Sequence, residues 1–283
     1  MSATRNKPII LPLFFLFFFY GPAPLAPQTP ETGLPAGNGF SNKELKTPEY
    51  LSFRKKILKE IEIPDGNAVF EAKKSFTEKS DHNGYIVLTF DACDKGYSKE
   101  LADYLVSEKI PATLFLSGKW IDRNPEIVGE LAKNPLFEIE NHGLSHKVCA
   151  LGDEKKYGLR NTRNAAEMVD EIELNNRKIQ AVTGRKPVFY RPAGAYADDL
   201  CLRIASRLSM EVAGYDTLSG DSFSKTPAKA MSRNIIKDAR HGMVVLMHLN
   251  HPERNEVEAL KRAVPELKKK GFSFCNLEDF AVK

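Results

Sequence analysis

The sequence predicts an α/β protein built on a mostly parallel sheet or barrel, and three observations predict it. From about Tyr85 to the C-terminus, short apolar runs alternate with amphipathic segments of helix length. Residues suited to acid–base or metal chemistry follow those apolar runs one after another, at the end where α/β folds hold ligands. The first 80 residues follow neither pattern, so the regular region carries an N-terminal extension.

The extension begins with Arg5 and Lys7, then the apolar block "IILPLFFLFFFY" at 9–20 and "GPAPLAPQTP" after it. A basic start, a short apolar core and small residues are the parts of a secretory signal. A helix over that block reaches only about 18 Å, against a hydrocarbon core of roughly 30 Å, although extension to Ala26 just spans it. Export is therefore expected from residues 1–26, with the segment either cleaved or kept as a membrane anchor. Residues 21–39 are rich in proline and glycine and read as a linker. Between 40 and 80, Leu51, Ile57, Leu58 and Ile61 predict one stripe of a helix with no assigned chemistry.

In the regular region the predicted strands are "YIVLTF", "ATLFLS", "FEIE", "PVFY", "MEVAG", "MVVLM" and "FSFC". Between them, "YSKELADYLVSEK", "PEIVGELAKN", residues 163–183, "YADDLCLRIASRLS", "TPAKAMSRNIIKDAR" and "EVEALKRAVPELKKK" predict helices. Met168, Ile172 and Ile179 mark the apolar face of the longest one. No repeat of fixed period interrupts the series.

Composition narrows the function classes. With 42% hydrophobic and 28% charged residues, the 283-residue chain is an ordinary globular protein able to bury a sizeable core. A net charge of +4 without any long basic run excludes a nucleic-acid arm, and no protein partner is evident. Export would permit disulfides among Cys93, Cys149, Cys201 and Cys275, with connectivity open. None forms a CxxC pair, which argues against a structural zinc site.

The candidate chemistry sits in the strand-end segments. In "TFDACD", Asp91 and Asp94 appear where an apolar run stops. Cys93 between them reads as a packed or disulfide-bonded neighbour, since a cysteine nucleophile needs a base and no histidine is near in sequence. In "ENHGLSH", His142 and His146 are four apart, so one helical turn would present both imidazoles as a metal clamp. Taken alone such a pair reads first as surface or capping histidines, and its place after a strand, with carboxylates in other loops, reverses that reading. His248 ends the apolar run "MVVLM" and suits a general acid, the bland alternative being a satisfied core histidine. His251 lies further into the loop, and His82 and His241 lack context. Arg191 in "FYRPAGAY" can hold a carboxylate ionised or merely be a solvated cation at a turn. Asp216 and Asp221 in "YDTLSGDS" are also natural turn formers.

The ordered series "TFDACD", "NHGLSH", "FYRPAGAY", "YDTLSGDS" and "VVLMH", with the ending "KKKGFSFCNLEDF", resembles the motifs of the NodB-like polysaccharide deacetylases. The resemblance covers roughly residues 84 to 280 and implies a distorted (β/α) barrel over a catalytic domain at 81–283, behind the linker and extension at 27–80. It also implies one divalent metal ion, Zn2+ foremost with Co2+, Ni2+ and Mn2+ as alternatives, and an N-acetylated glycan as substrate. By position Asp91 matches the base, His142 and His146 metal ligands, Arg191 the residue that steadies the base, and His248 the acid. Asp221 matches the aspartate that orients the acid, with Asp216 as rival. Gly194 matches the residue whose backbone N–H steadies an oxyanion, and Tyr196 is a candidate for the substrate groove.

One position departs from the family: Ala92 stands where a second aspartate usually binds the metal. Either Asp94 swings in as the third ligand, or the two histidines hold the metal with water. The implied reaction is hydrolysis of an acetamide, the metal polarising its carbonyl and lowering the pKa of water. Asp91 would then take the water's proton and His248 would protonate the leaving nitrogen. The same residues would serve an O-acetyl esterase on xylan or another glycan. Ala92 alone speaks for a glycan-binding protein without activity.

Overall fold

The computed structural model describes residues 42–63, 69–72, 84–152 and 156–281. The export segment at 1–26, the linker at 21–39 and His82 therefore lie outside the described residues. The chain runs α1 (Pro48–Lys59), β1 (Phe70–Glu71), β2 (Tyr85–Ala92), α2 (Lys99–Ser107), β3 (Ala112–Leu116), α3 (Gly118–Arg123) and α4 (Pro125–Lys133). It continues through β4 (Phe137–Asn141), α5 (Ala165–Thr183), β5 (Phe189–Tyr190), β6 (Tyr196–Ala197), α6 (Asp199–Arg207), β7 (Glu211–Val212) and β8 (Thr217–Leu218). The last elements are α7 (Ala228–Lys237), β9 (Met243–His248), α8 (Glu256–Lys269), β10 (Ser273–Cys275) and α9 (Glu278–Ala281).

Among the described residues the main sheet is wholly parallel, in the order β7-β5-β4-β3-β2-β9-β8. It curls into an incomplete barrel with helices around it, the fold class the sequence predicts. β2 is the central strand: Ile86 to Ala92 are all buried, as expected for a strand covered on both faces. One of its edges is shared, with β10 alongside Tyr85–Val87 and β3 alongside Thr89–Ala92. The core between sheet and helices is aliphatic, with Leu88, Phe90, Leu114, Val245 and Leu260 all buried within it.

Serine, threonine, asparagine and aspartate side chains start the helices by accepting otherwise orphaned N–H groups. Thr47, Ser98, Ser117, Asn164 and Asp198 do so for α1, α2, α3, α5 and α6. Ser117 does more, because its hydroxyl also donates to the carbonyl of Cys93 at 2.6 Å. The loop after β2 is thereby tied to the loop after β3.

The extension docks differently from its predicted stripe. Tyr50 and Ile57 are the buried residues of α1, whereas Leu51 is 42% exposed. The reason is polar: the Tyr50 hydroxyl donates to Asp170 on α5, and Lys46 and Arg54 pair with the same carboxylate at 2.7 and 2.9 Å. The short elements β1, β6, β8, α3 and α9 escaped the pattern, because two to six residues are below the length at which periodicity is readable, and β6 takes the first residues of a segment expected to be helical.

Candidate active site and metal centre

The strand ends gather the predicted residues at one cleft of about 240 Å³, lined by Asp91, His142, His146, Gly194 and His248 among others. Parallel pairing explains it, since Asp91 of β2 lies in register with His248 of β9. β4 leads straight into His142, and β5 into Arg191.

Arg191 is fully buried, and one guanidinium nitrogen donates to both Thr89 and Asp91 at 2.8 Å. The other donates to the carbonyl of Gly214 at 2.8 Å, and the guanidinium stacks 4.0 Å from the Phe115 ring centroid. Asp91 Oδ2 is left facing the cleft, 3.7 Å from His142 Nε2. Burial would push the Asp91 carboxyl up, but the neighbouring His142 and the Arg191 guanidinium outweigh it and hold it below the usual carboxylate range. Such an aspartate stays ionised and able to take a proton.

Across the cleft, His248 Nδ1 lies 3.2 Å from both oxygens of Asp221, whose Oδ2 also accepts the His248 backbone N–H at 2.5 Å. Ser219 donates to Asp221 Oδ1 at 2.8 Å. Burial alone would lower the pKa of His248; the Asp221 carboxylate reverses this and raises it well above the usual histidine value. Asp216, the rival, is spoken for: it pairs with Arg240 and accepts the Val244 N–H at 2.8 Å. Val244 is four residues before His248 on β9, so Asp216 lies roughly 13 Å from the acid along the strand.

His142 and His146 do converge, with ring centroids 4.8 Å apart, but not on a helical turn. Residues 142–147 form a loop in which Gly143 and His146 take left-handed backbone angles of φ 81° and 56°. Polar groups of β4 and α5 hold it there. Asn141 Oδ1 accepts the Gly143 N–H at 2.7 Å, and Glu171 Oε1 accepts those of Ser145 and Lys147 at 2.9 and 3.0 Å. A Cβ at position 143 would stand 2.7 Å from that Glu171 oxygen, so only glycine fits. The helix predicted from apolar periodicity alone thus carries a second, buried polar face, with Glu171, Asn175 and Asn176 on it.

The third candidate donor is not where the sequence suggested. Asp94 is half exposed and its carboxylate pairs with Arg123 of α3, away from the histidines. Cys93, expected to be a packed or bridged bystander, instead carries a free thiol 3.6 Å from His142 Nε2. Burial raises the thiol pKa, but the neighbouring His146 and the hydrogen bonds of His142 override it and leave the thiol well below its usual value. Donor atoms of Cys93, His142 and His146 all lie within 4.8 Å of one another, the only group of three such residues among those described. His142 Nδ1 is 2.8 Å from the carbonyl of Arg191, which leaves Nε2 with its lone pair toward the cleft. Two imidazoles and a thiolate are a donor set suited to a divalent transition metal, so the residues fit the implied ion.

Gly194 sits in a tight turn over Ala193–Ala195 with φ 64°, and Ala195 follows it at φ 58°. Both angles are in the left-handed region, which costs an alanine but not a glycine. β1 braces this turn from outside, pairing with β6, while the Ala72 N–H donates to the Ala195 carbonyl at 2.7 Å. Tyr196 packs against Tyr157 with ring centroids 6.0 Å apart, and it is Tyr157 that lines the cleft. Phe223 and Tyr157 are 63% and 73% exposed at its mouth, two aromatic faces no sequence motif announced.

Residues 78–213 match the family model for polysaccharide deacetylase. A peptidoglycan-N-acetylglucosamine deacetylase of Bacillus cereus is 28% identical over 202 residues, covering 69% of this chain and 86% of that protein. PdaA of Bacillus subtilis, a peptidoglycan-N-acetylmuramic acid deacetylase, is 24% identical over 75% of this chain and 77% of its own. Its solved structure, a family 4 carbohydrate esterase, superposes with a TM-score of 0.61 over 83% of this chain and 90% of that one. A CE4 family pseudoenzyme from Bacillus anthracis is similar in fold at a TM-score of 0.60 and 21% identity; this chain is matched over 71% of its length and spans 66% of that chain. Together these matches support a NodB-like polysaccharide deacetylase family for the region around residues 78–213.

Proposed function

We propose that the protein is an exported, metal-dependent hydrolase that removes N-acetyl groups from a cell-wall glycan, with peptidoglycan as the foremost substrate. The observation that carries the reading is the pairing of opposite charge states across one cleft. Asp91 is kept ionised by Arg191, and His248 is kept protonated by Asp221. An acetamide needs both, because water is a poor nucleophile and an amine leaves only when protonated. The two named peptidoglycan deacetylases among the relatives favour the substrate class. The predicted signal and the Cys149–Cys201 disulfide favour export.

A divalent ion held by His142 and His146, Zn2+ foremost, would supply Lewis-acid polarisation of the acetyl oxygen and acidify water in the cleft. Asp91 Oδ2 accepts the proton of the attacking water while Oδ1 stays on Arg191. The water oxygen bonds to the carbonyl carbon, and the charge moved onto the acetyl oxygen is met by the Gly194 N–H, since those of Ala193 and Ala195 already donate to the Lys147 and Pro192 carbonyls. His248 delivers its proton to the nitrogen, the C–N bond breaks, and acetate and a free amine leave. Asp221 holds the imidazole in place throughout and disfavours early loss of its proton.

The test is acetate release by the zinc-loaded full chain from peptidoglycan, chitin oligomers and acetylated xylan, with new amines counted in parallel. Acetate with stoichiometric amine from peptidoglycan is expected, and Asp91→Asn should lower it about 10²–10⁴-fold. Acetate without amine, from xylan, would replace the amide reading with an ester one. Ala92, together with the similarity to a pseudoenzyme, favours one competing reading, an inactive glycan binder. A folded, metal-loaded protein that releases no acetate from any of the three would establish it.

A further inference from the structure

We infer that Cys93 is the third protein ligand of the metal, giving a Cys–His–His centre in place of the carboxylate that Ala92 cannot provide. The inference rests on the metal-dependent reading above and deepens it. In a tetrahedral zinc site with Zn–S about 2.3 Å and Zn–N about 2.0–2.1 Å, sulfur and nitrogen stand roughly 3.6 Å apart. Cys93 Sγ and His142 Nε2 are 3.6 Å apart. His146 completes a triangle whose donor atoms all fall within 4.8 Å.

The backbone of Cys93 is fixed for such a role. Its carbonyl accepts from Ser117 at 2.6 Å and its N–H donates to Asn250 Oδ1 at 3.4 Å. His142 is fixed in turn by its bond to the Arg191 carbonyl. Asp94 is removed from competition by Arg123.

A disulfide role for this thiol is excluded by position. Cys149 and Cys201 bridge each other, and Cys275, the other free cysteine, pairs in register with Val87. Val87 is six residues before Cys93 along β2 and the turn after it, roughly 20 Å away. The thiol therefore has no covalent partner and faces two histidines.

The donor set has a consequence for the metal. Thiolate is a soft ligand that suits Zn2+ and Co2+ and disfavours Mg2+, Ca2+ and Mn2+, which carboxylate and water ligands suit. This chain should discriminate against Mn2+, and replacing the sulfur by a carboxylate should relax that discrimination.

The experiment loads the metal-free full chain with Co2+ and records its near-ultraviolet spectrum, where a thiolate-to-cobalt charge-transfer band reports sulfur ligation independently of activity. The wild type and Cys275→Ser should both show the band at one cobalt per chain. Cys93→Ser should lose it and bind Co2+ weaker by about 10-fold or more, the least that loss of even an outer hydrogen-bond partner costs a metal site. Cys93→Asp should bind without the band and take up Mn2+ more readily than the wild type. Stoichiometric cobalt in the wild type without the band would overturn the ligand assignment and leave deacetylation standing on the two histidines. Failure of the folded wild type to bind Co2+ or Zn2+ at all would overturn both. Because the decisive spectrum is that of the wild type, poor folding of a variant cannot obscure it.

Discussion

In the proposed mechanism Asp221 decides when His248 can act. Its carboxylate lies 3.2 Å from the imidazole nitrogen and raises the histidine pKa well above its usual value. The proposed mechanism needs Asp91 ionised and His248 protonated, so kcat/KM should rise through the depressed pKa of Asp91 and fall through the raised pKa of His248. Asp221→Asn removes the charge that raises His248, so the alkaline limb should move down toward the ordinary histidine value of about 6.5 while the acid limb stays put. A pH profile of the variant whose alkaline limb has not moved would show that another group titrates there. Asp94 gives the opposite lesson about nearness in sequence. Paired with Arg123 and half exposed, it should be replaceable: Asp94→Ala should leave the zinc titration unchanged and cost less than about 1 kcal/mol of stability in urea unfolding. At this scale the gathering of Asp91, His142, His146, Arg191 and His248 at one end of the sheet was legible, because strand-end position and residue type coincide. That Cys93 turns toward the histidines and Asp94 toward Arg123 was not legible, because side chains alternate in direction along an extended chain and sequence does not say which one turns inward.

Helix α5 is the element whose role periodicity concealed. Met168, Ile172 and Ile179 announce an apolar face, yet the helix buries Glu171, Asn175 and Asn176 as well. These polar side chains hold the loop that carries both histidines. Asn175 donates to Asn141 at 2.8 Å, Asn176 accepts from it at 2.6 Å, and Glu171 receives two loop N–H groups. A buried polar network of this kind fixes one geometry, and losing a member of it is costly. Glu171→Ala would leave the Ser145 and Lys147 N–H groups without their acceptor. It should cost about 1–3 kcal/mol and weaken metal binding about 10–100-fold, with Glu171→Gln recovering most of both because an amide oxygen still accepts. Zinc titration and urea unfolding of the two variants measure it, and equal metal affinity in Glu171→Ala and wild type would show that the loop holds itself. The HxxxH spacing was readable in the sequence but its conformation was not. A four-residue separation fits a helical turn, while Gly143 and the left-handed His146 bend the same spacing into a loop.

The whole molecule converts a curled parallel sheet into a site by joining loops that lie far apart in the chain. Alternating strand and helix segments made that sheet legible, because a buried parallel strand reads as a continuous apolar run. Connectivity of the cysteines was not legible, since spacing alone does not pair them. The structure joins Cys149 to Cys201, 52 residues apart. Around the bridge, the Cys149 N–H donates to the Tyr196 carbonyl at 3.3 Å and its own carbonyl accepts the Asp198 N–H at 3.1 Å. Asp198 then caps α6 at Cys201 and accepts the Leu151 N–H at 2.9 Å. The segment after His146 and the turn that carries Gly194 are thus fastened to the same helix start. Closing a loop of that length restricts the unfolded chain by about 4 kcal/mol in the chain-entropy account. The double variant Cys149→Ser, Cys201→Ser should therefore unfold at lower urea by up to that amount. It should also lose substrate turnover faster than metal affinity as urea rises, because the turn at Gly194 loosens while His142, held by the Leu116 and Arg191 carbonyls, does not. Thiol titration of the denatured, unreduced wild type should find two of the four cysteines reactive, Cys93 and Cys275. Four reactive thiols, or a double variant as stable as the wild type, would remove the bridge from the account of how this fold holds its two active-site loops together.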